Sequence, residues 1–190
     1  MTTKVEFFYD YVSLYSYLAN SQLSSLDGAE IVYRPMLLGA VMEATGNSAP
    51  GIVEAKGNHL QVDARRWADR YEIPYKMNPV FPQNTANALR LALVAEKKGA
   101  FEAVHQPLFD AFWVHGKDFS DENVVAEIAT NAGLSIDDTQ DQAIKDELRA
   151  NTREAVERGV FGAPTFFVRD DMFFGNDRFD FIREAIKNRG

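Results

Sequence analysis

The alternation of apolar and polar positions predicts most of the architecture. Val5–Tyr9 is an apolar, aromatic run of strand length. Ser13–Leu26 follows, with Tyr17, Leu18, Leu23 and Leu26 near helical spacing, and Asp27-Gly28 supplies a stop. Glu30–Arg34 predicts a second strand, so the chain opens β-α-β within about 35 residues, the size of a crossover unit. Leu37–Thr45 predicts a short helix that Gly46-Asn47 ends, because both residues tolerate left-handed backbone. Ser48–Gly51 is a loop, and Val53–Tyr71 is helical in pattern, closed by Pro74. Asn78–Pro82 predicts an extended connector, since each proline biases its predecessor away from helix.

From Asn84 to Arg158 nearly everything is helical: Ala86–Lys98, Phe101–Trp113, Ser120–Ala132 with Ser120 as N-cap, and a long segment from Asp137 or Asp138 to Arg158. Pro164–Val168 and Met172–Phe174 predict two strands joined by a tight turn, and Asp177–Lys187 a closing amphipathic helix. The order β-α-β, helices, β-β-α is that of a thioredoxin-like α/β fold split by a helical insertion. The expected division is 1–76 with 159–190 for the thioredoxin-like unit and 77–158 for the insertion. No repeat or low-complexity tract interrupts it.

Composition sharpens this in two ways. The 190 residues include no cysteine, which excludes disulfides, thiolate metal sites, iron–sulfur clusters and a protein thiol nucleophile. The net charge of −8 argues against a nucleic-acid binder. No apolar stretch is long enough to span a membrane, and the N-terminus lacks a basic leader region, so a cytoplasmic protein without membrane contact is expected.

Three spots carry candidate chemistry. Ser13 opens the first predicted helix, where a thioredoxin-like fold would place a redox pair; Ser13-Leu14-Tyr15-Ser16 has serine at both ends of that window, so dithiol exchange is chemically impossible. Its hydroxyl is either an N-cap or a donor that helps a helix end hold an anion. Gly162-Ala163-Pro164-Thr165 precedes a strand; proline is tolerated there for backbone reasons, whereas a cis bond would expose the Ala163 backbone to an extended peptide-like ligand. In Phe174-Gly175-Asn176-Asp177-Arg178, Asn176 or Asp177 could cap the last helix, or backbone N–H groups and Asp177 could take the carboxylate and ammonium of an amino-acid end group.

Phe8–Leu18, Thr45-Gly46-Asn47, Asp63 with Arg66-Trp67-Ala68, Phe81–Thr85, Val160–Thr165 and Phe174–Arg178 together resemble the 2-hydroxychromene-2-carboxylate isomerases and kappa-class glutathione transferases, in the same order along essentially the whole chain. The resemblance implies the DsbA-like variant of the thioredoxin fold, a homodimer, and glutathione as cofactor. It implies that Ser13 hydrogen-bonds the glutathione sulfur, that Asn47 helps hold the tripeptide, that Ala163 before a cis Pro164 pairs with its backbone, and that Asn176 and Asp177 take the γ-glutamyl end. The implied reaction is cis–trans isomerisation of an unsaturated, ring-bearing keto acid through a transient glutathione adduct. The alternatives are a kappa-like transferase, or a non-catalytic thioredoxin-like module binding extended peptides. Two positions depart from the family pattern: Leu14 replaces a usual proline, and Met42 stands where a lysine is expected.

A free thiol titrates near pH 8.5, and lowering it by about two units needs roughly 2.7 kcal/mol. A helix N-terminus supplies about 0.3–1 kcal/mol, up to about 2, and a charged hydrogen bond from Ser13 roughly 1.5–3. Ser13 is therefore expected to stabilise a nucleophile rather than be one. The three histidines, His59, His105 and His115, have no metal-ligand spacing and read as structural or solvated. Lys56, Arg65 and Arg66 read as a solvated helix face from which one residue could reach a substrate carboxylate; Trp67, Phe81 and Trp113 read as core.

Overall fold

The computed structural model of the chain describes residues 2–188; Met1, Arg189 and Gly190, which the pattern above assigns to the thioredoxin-like unit, lie outside the described residues. Among the described residues four strands form one sheet: β1 (Thr3–Tyr9), β2 (Ala29–Pro35), β3 (Thr165–Val168) and β4 (Asp171–Phe174), in the order β2-β1-β3-β4. β1 and β2 are parallel, the pairing a helical crossover permits. β3 runs antiparallel to both β1 and β4. The helices are α1 (Leu14–Asn20), α2 (Leu38–Thr45), α3 (Glu54–Tyr71), α4 (Ala86–Lys97), α5 (Glu102–Trp113), α6 (Glu122–Asn131), α7 (Gln142–Glu157) and α8 (Phe179–Lys187).

Side chains of β1 alternate between two cores, as strand geometry requires. Val5, Phe7 and Tyr9 face the larger one, with Leu18 of α1, Phe109 of α5 and Ile182 of α8. Phe8 faces the smaller one, with Phe167, Leu38 and Val41 of α2 and Ala155 of α7. Register places Phe7 opposite Phe166, their rings stacked 5.1 Å apart. Leu89, Val125 and Leu148 of the helical insertion pack into the larger core, so that core is continuous with the sheet.

Several element boundaries differ from the pattern. The first helix stops at Asn20, and a separate 3-10 turn at Leu23–Ser25 carries Leu23 into the core. Asp121 rather than Ser120 caps α6, accepting from the Asn123 N–H. The long final helix of the insertion starts at Gln142 behind a 3-10 turn at Ile136–Gln140, because the Asp141 carboxylate caps at Ala143. α8 starts at Phe179 with Arg178 in the cap position, so neither Asn176 nor Asp177 is the N-cap. No helix among the described residues is long and apolar enough to cross a membrane.

Candidate active site

β1 ends at Tyr9, and the chain turns through Asp10, Tyr11 and Val12 to Ser13, which caps α1. The Ser13 hydroxyl accepts from the Ser16 N–H at 3.1 Å and donates to the Ala163 carbonyl at 2.9 Å. The capping role is thus realised, and the hydroxyl proton is directed at the segment before β3. The Ala163-Pro164 peptide is cis, as is Phe81-Pro82. α1 has only seven residues, so the field at its end is a smaller contribution than a long helix would make.

Residues 161–164 link the three candidate spots. Asn47 Nδ2 donates to the Phe161 carbonyl at 2.7 Å. Ser13 reaches Ala163, and the Gly175 N–H donates to the Pro164 carbonyl at 3.0 Å. Gly162 packs closely under Phe174: a Cβ there would lie 2.8 Å from its ring, so the ring would have to shift. Among the described residues the Ala163 N–H has no acceptor. Asn176 is buried, its carbonyl accepting from the Tyr71 hydroxyl at 3.1 Å, while half-exposed Asp177 pairs with Arg178 at 2.6 Å. Burial raises both Tyr15 and Tyr71 above the usual phenol range, helped at Tyr15 by the bonded Asp63 carboxylate and, to a lesser degree at both, by the Asp177 charge.

A cavity of about 760 Å³ opens over Ser13, large enough for two small ligands. Ser13, Asn47, Gly162 and Ala163 line it; Pro164, Asn176 and Asp177 lie behind or beside that wall. Its apolar surface includes Leu37, Met42, Leu60, Phe81 and Phe174. Phe81 is thus a wall residue, 39% exposed, its ring centroid 5.8 Å from that of the buried Trp113. Lys56 likewise lines the cavity from α3 instead of standing on a purely solvated face. Most polar side chains in the wall are already bonded within the protein. Tyr15 donates to Asp63 at 2.9 Å, Thr85 to Asp10, and Gln83 to the Val80 and Lys117 carbonyls.

Asp10 is the residue whose part the motif did not reveal. It is 2% exposed, with no cation beside it; one carboxylate oxygen accepts from the Val12 N–H and the Thr85 hydroxyl, the other from the Leu38 N–H that opens α2. Burial holds its carboxyl above the usual range, against the pull of those bonds. It ties together the Ser13 turn, the start of α2 and the residue before α4. The legible signal was an acid immediately after the apolar triplet Phe7-Phe8-Tyr9. Tyr11 anchors the same turn from beneath, its carbonyl accepting from the Trp113 indole and its hydroxyl bonding His105.

Residues 4–187 match the model of the DSBA-like thioredoxin domain. The 2-hydroxychromene-2-carboxylate isomerase of Sphingobium xenophagum is 35% identical over 98% of this chain and 99% of its own length. The chain belongs to the 2-hydroxychromene-2-carboxylate isomerase family. A solved structure of a 2-hydroxychromene-2-carboxylate isomerase superposes with a TM-score of 0.87 at 30% identity, covering 97% of this chain and 94% of that one. Glutathione S-transferase kappa 1 of Caenorhabditis elegans is more distant, 26% identical over 97% of this chain and 91% of its own length. Family membership and the superposition agree on a DsbA-like fold whose helical insertion lies between the β-α-β and β-β-α parts.

Proposed function

We propose that the protein is a glutathione-dependent isomerase that turns a conjugated, ring-bearing carbonyl compound from cis to trans. The observation that carries this is the Ser13 hydroxyl, 2.9 Å from the Ala163 carbonyl in the wall of a cavity with room for a second ligand. Glutathione, when bound, supplies a thiolate that adds reversibly to a conjugated carbon and leaves once the carbon–carbon bond has turned. The residues fit the tripeptide. Ala163 offers an N–H and a carbonyl side by side, the pairing an extended backbone uses. Asn176 and Asp177 are the candidates for the γ-glutamyl end. Lys56 stands at the rim for a terminal carboxylate. Asn47 fastens its loop through one amide hydrogen to Phe161 and through its oxygen to the Ser48 N–H, and its second amide hydrogen would remain for the tripeptide.

Ser13 is the catalytic residue of this reading. A ligand N–H arriving at the Ala163 carbonyl would release the Ser13 hydroxyl to donate to the sulfur. With α1 only seven residues long, the hydroxyl carries most of the roughly 2.7 kcal/mol that thiolate formation needs at neutral pH. A homodimer in a glutathione-rich cytoplasm completes the proposal.

Ser13→Ala is expected to lower turnover by about 10²–10³-fold, the usual loss for one donor aimed at a developing anion. Glutathione affinity, read by calorimetry, should stay within a few-fold of wild type. Full turnover in this variant refutes the assignment. The full-length likeness to a kappa-class transferase keeps conjugation as the second reading. Recovered glutathione with a trans product supports the isomerase, and an accumulating conjugate supports the transferase.

A further inference from the structure

A second ligand must use what the cavity wall has left once the tripeptide is seated. Tyr15 and Thr85 have given their hydroxyl protons to Asp63 and Asp10, and Gln83 both its amide hydrogens to the Val80 and Lys117 carbonyls. Beside Ser13, the wall side chains among the described residues with a donor still uncommitted are Ser48, Lys56, Asn84 and, for its second amide hydrogen, Asn47. Asn47 and Ser48 lie on the loop after α2, and Lys56 on the first turn of α3. Asn47 fastens that loop to Phe161, two residues before Ala163, so this group falls to the tripeptide. Asn84 comes from a different element, the connector that carries Phe81. Its Oδ1 accepts from the Ala86 N–H at 2.9 Å; only the oxygen can accept, so the amide orientation is fixed and Nδ2 is left as a donor alone. The next residue, Thr85, donates to Asp10, which also takes the Leu38 N–H that opens α2 and, on its main-chain carbonyl, the Ser13 N–H at 3.0 Å. Asn84 is thus one residue from the anchor that the Ser13 turn shares with α2, the helix carrying Met42.

Leu37, Met42 and Phe81 make this side of the wall apolar, and an aromatic ring laid on them is favoured by the area it buries. Lys56 is the only side-chain cation in the wall among the described residues, and glutathione itself brings two carboxylates. An anion on the second ligand is therefore held by a neutral donor. Asn84 is exposed, so a carboxylate bonded to it keeps part of its water and avoids the cost of a buried, unpaired charge. The bond is charge-assisted, and the second Nδ2 hydrogen can meet an adjacent carbonyl oxygen. A 2-oxo acid presents those two acceptors side by side. We infer that Asn84 is the specificity-determining residue for the second substrate, its amide taking the carboxylate of an aryl-bearing, unsaturated 2-oxo acid without help from a cation. The inference rests on the glutathione reading above and deepens it.

Two saturated probes differ only at the position in question: benzylpyruvate ends in a 2-oxo acid and benzylacetone in a methyl ketone. Neither can add a thiol across a double bond, so binding is separated from chemistry. The full chain is first titrated with glutathione in a calorimeter, then the loaded protein with each probe. Asn84→Ala removes the donor. Asn84→Asp keeps an oxygen for the Ala86 N–H, and so the local fold, but turns a carboxylate toward the ligand. Benzylpyruvate is expected to bind both variants at least about fivefold more weakly than wild type, while benzylacetone stays within about twofold. A smaller loss of benzylpyruvate in either variant, a larger loss of benzylacetone, or no binding of benzylpyruvate to wild type overturns the inference and leaves the glutathione reading intact. No heat with glutathione itself sinks that reading, and the inference with it.

Discussion

His105 gives the most quantitative expectation. It is 3% exposed on α5, ringed by Phe101, Tyr33, Tyr9 and Phe109 at 4.6–5.2 Å between centroids. Asn20 donates its amide to Gln106, so its oxygen faces His105 Nε2, which must carry the proton. Nδ1 then accepts from the Tyr11 hydroxyl at 2.9 Å. Burial drops the imidazole from 6.5 to about 3. The unfolded chain takes up this proton near pH 6.5 and the folded chain does not, so stability falls as pH drops from 6.5 toward 3. At pH 5 the loss from this one group is about 2 kcal/mol, and at pH 4 about 3. His105→Gln keeps an acceptor for Tyr11 and a donor for Asn20 but cannot titrate. It should be less stable than wild type by about 1–2 kcal/mol at pH 7.5, through lost ring contacts. Urea unfolding followed by tryptophan fluorescence at pH 7.5 and pH 5 should show that deficit vanish or reverse. Parallel pH dependence of the two proteins would show that His105 is not the acid-sensitive group.

Asp10→Asn keeps the shape but turns an amide toward donors, and should cost about 2–3 kcal/mol in urea unfolding. Because burial raises the Asp10 carboxyl, its stabilising contribution is full below the ordinary carboxylate range and declines as pH rises through the raised value; the deficit of the variant should therefore be largest in acid. A deficit that grows with pH would contradict this. Arg158→Met removes a guanidinium that lies 3.7 Å from the Phe167 ring centroid and bridges Glu6 at 2.8 Å and Glu154 at 3.2 Å, fastening α7 to the sheet. A loss of about 1–2 kcal/mol is expected, and an unchanged urea midpoint would refute a net role for that bridge.

The strands and helices were legible because each carries a period that only one geometry satisfies. Val5, Phe7, Tyr9 and Phe166 face one core and Phe8 and Phe167 the other, because cores lie on both sides of the sheet. Boundaries slipped where local side chains outcompete the helix: Asp141 caps at Ala143, and Leu23 turns inward from a separate 3-10 turn. Ser13, Ala163 and Asn47 were named through the resemblance, and all three line one cavity. Asp10, Lys56 and Phe81 were not assigned their places, since nothing in a linear pattern says which side of a helix or loop will meet a turn more than forty residues away. Asp10 meets Thr85 only because the insertion packs back on the first strand.

Serine at position 13 has a chemical logic that the fold makes visible. It sits where this architecture carries a redox thiol, and the chain has no cysteine to replace it. A thiol there would exchange with any disulfide form of a sulfur-bearing ligand and hold it covalently. A hydroxyl has nearly the same reach, donates a proton to a thiolate, and cannot be oxidised into a bond with it. The 2.9 Å bond from Ser13 to Ala163 adds a condition. In the proposed mechanism the hydroxyl turns from the Ala163 carbonyl to the ligand sulfur, and a peptide N–H of the ligand would take its place on that carbonyl. On that proposal, recognition of the tripeptide backbone and ionisation of its thiol would be coupled, and a bare thiol without that backbone would gain less from the site.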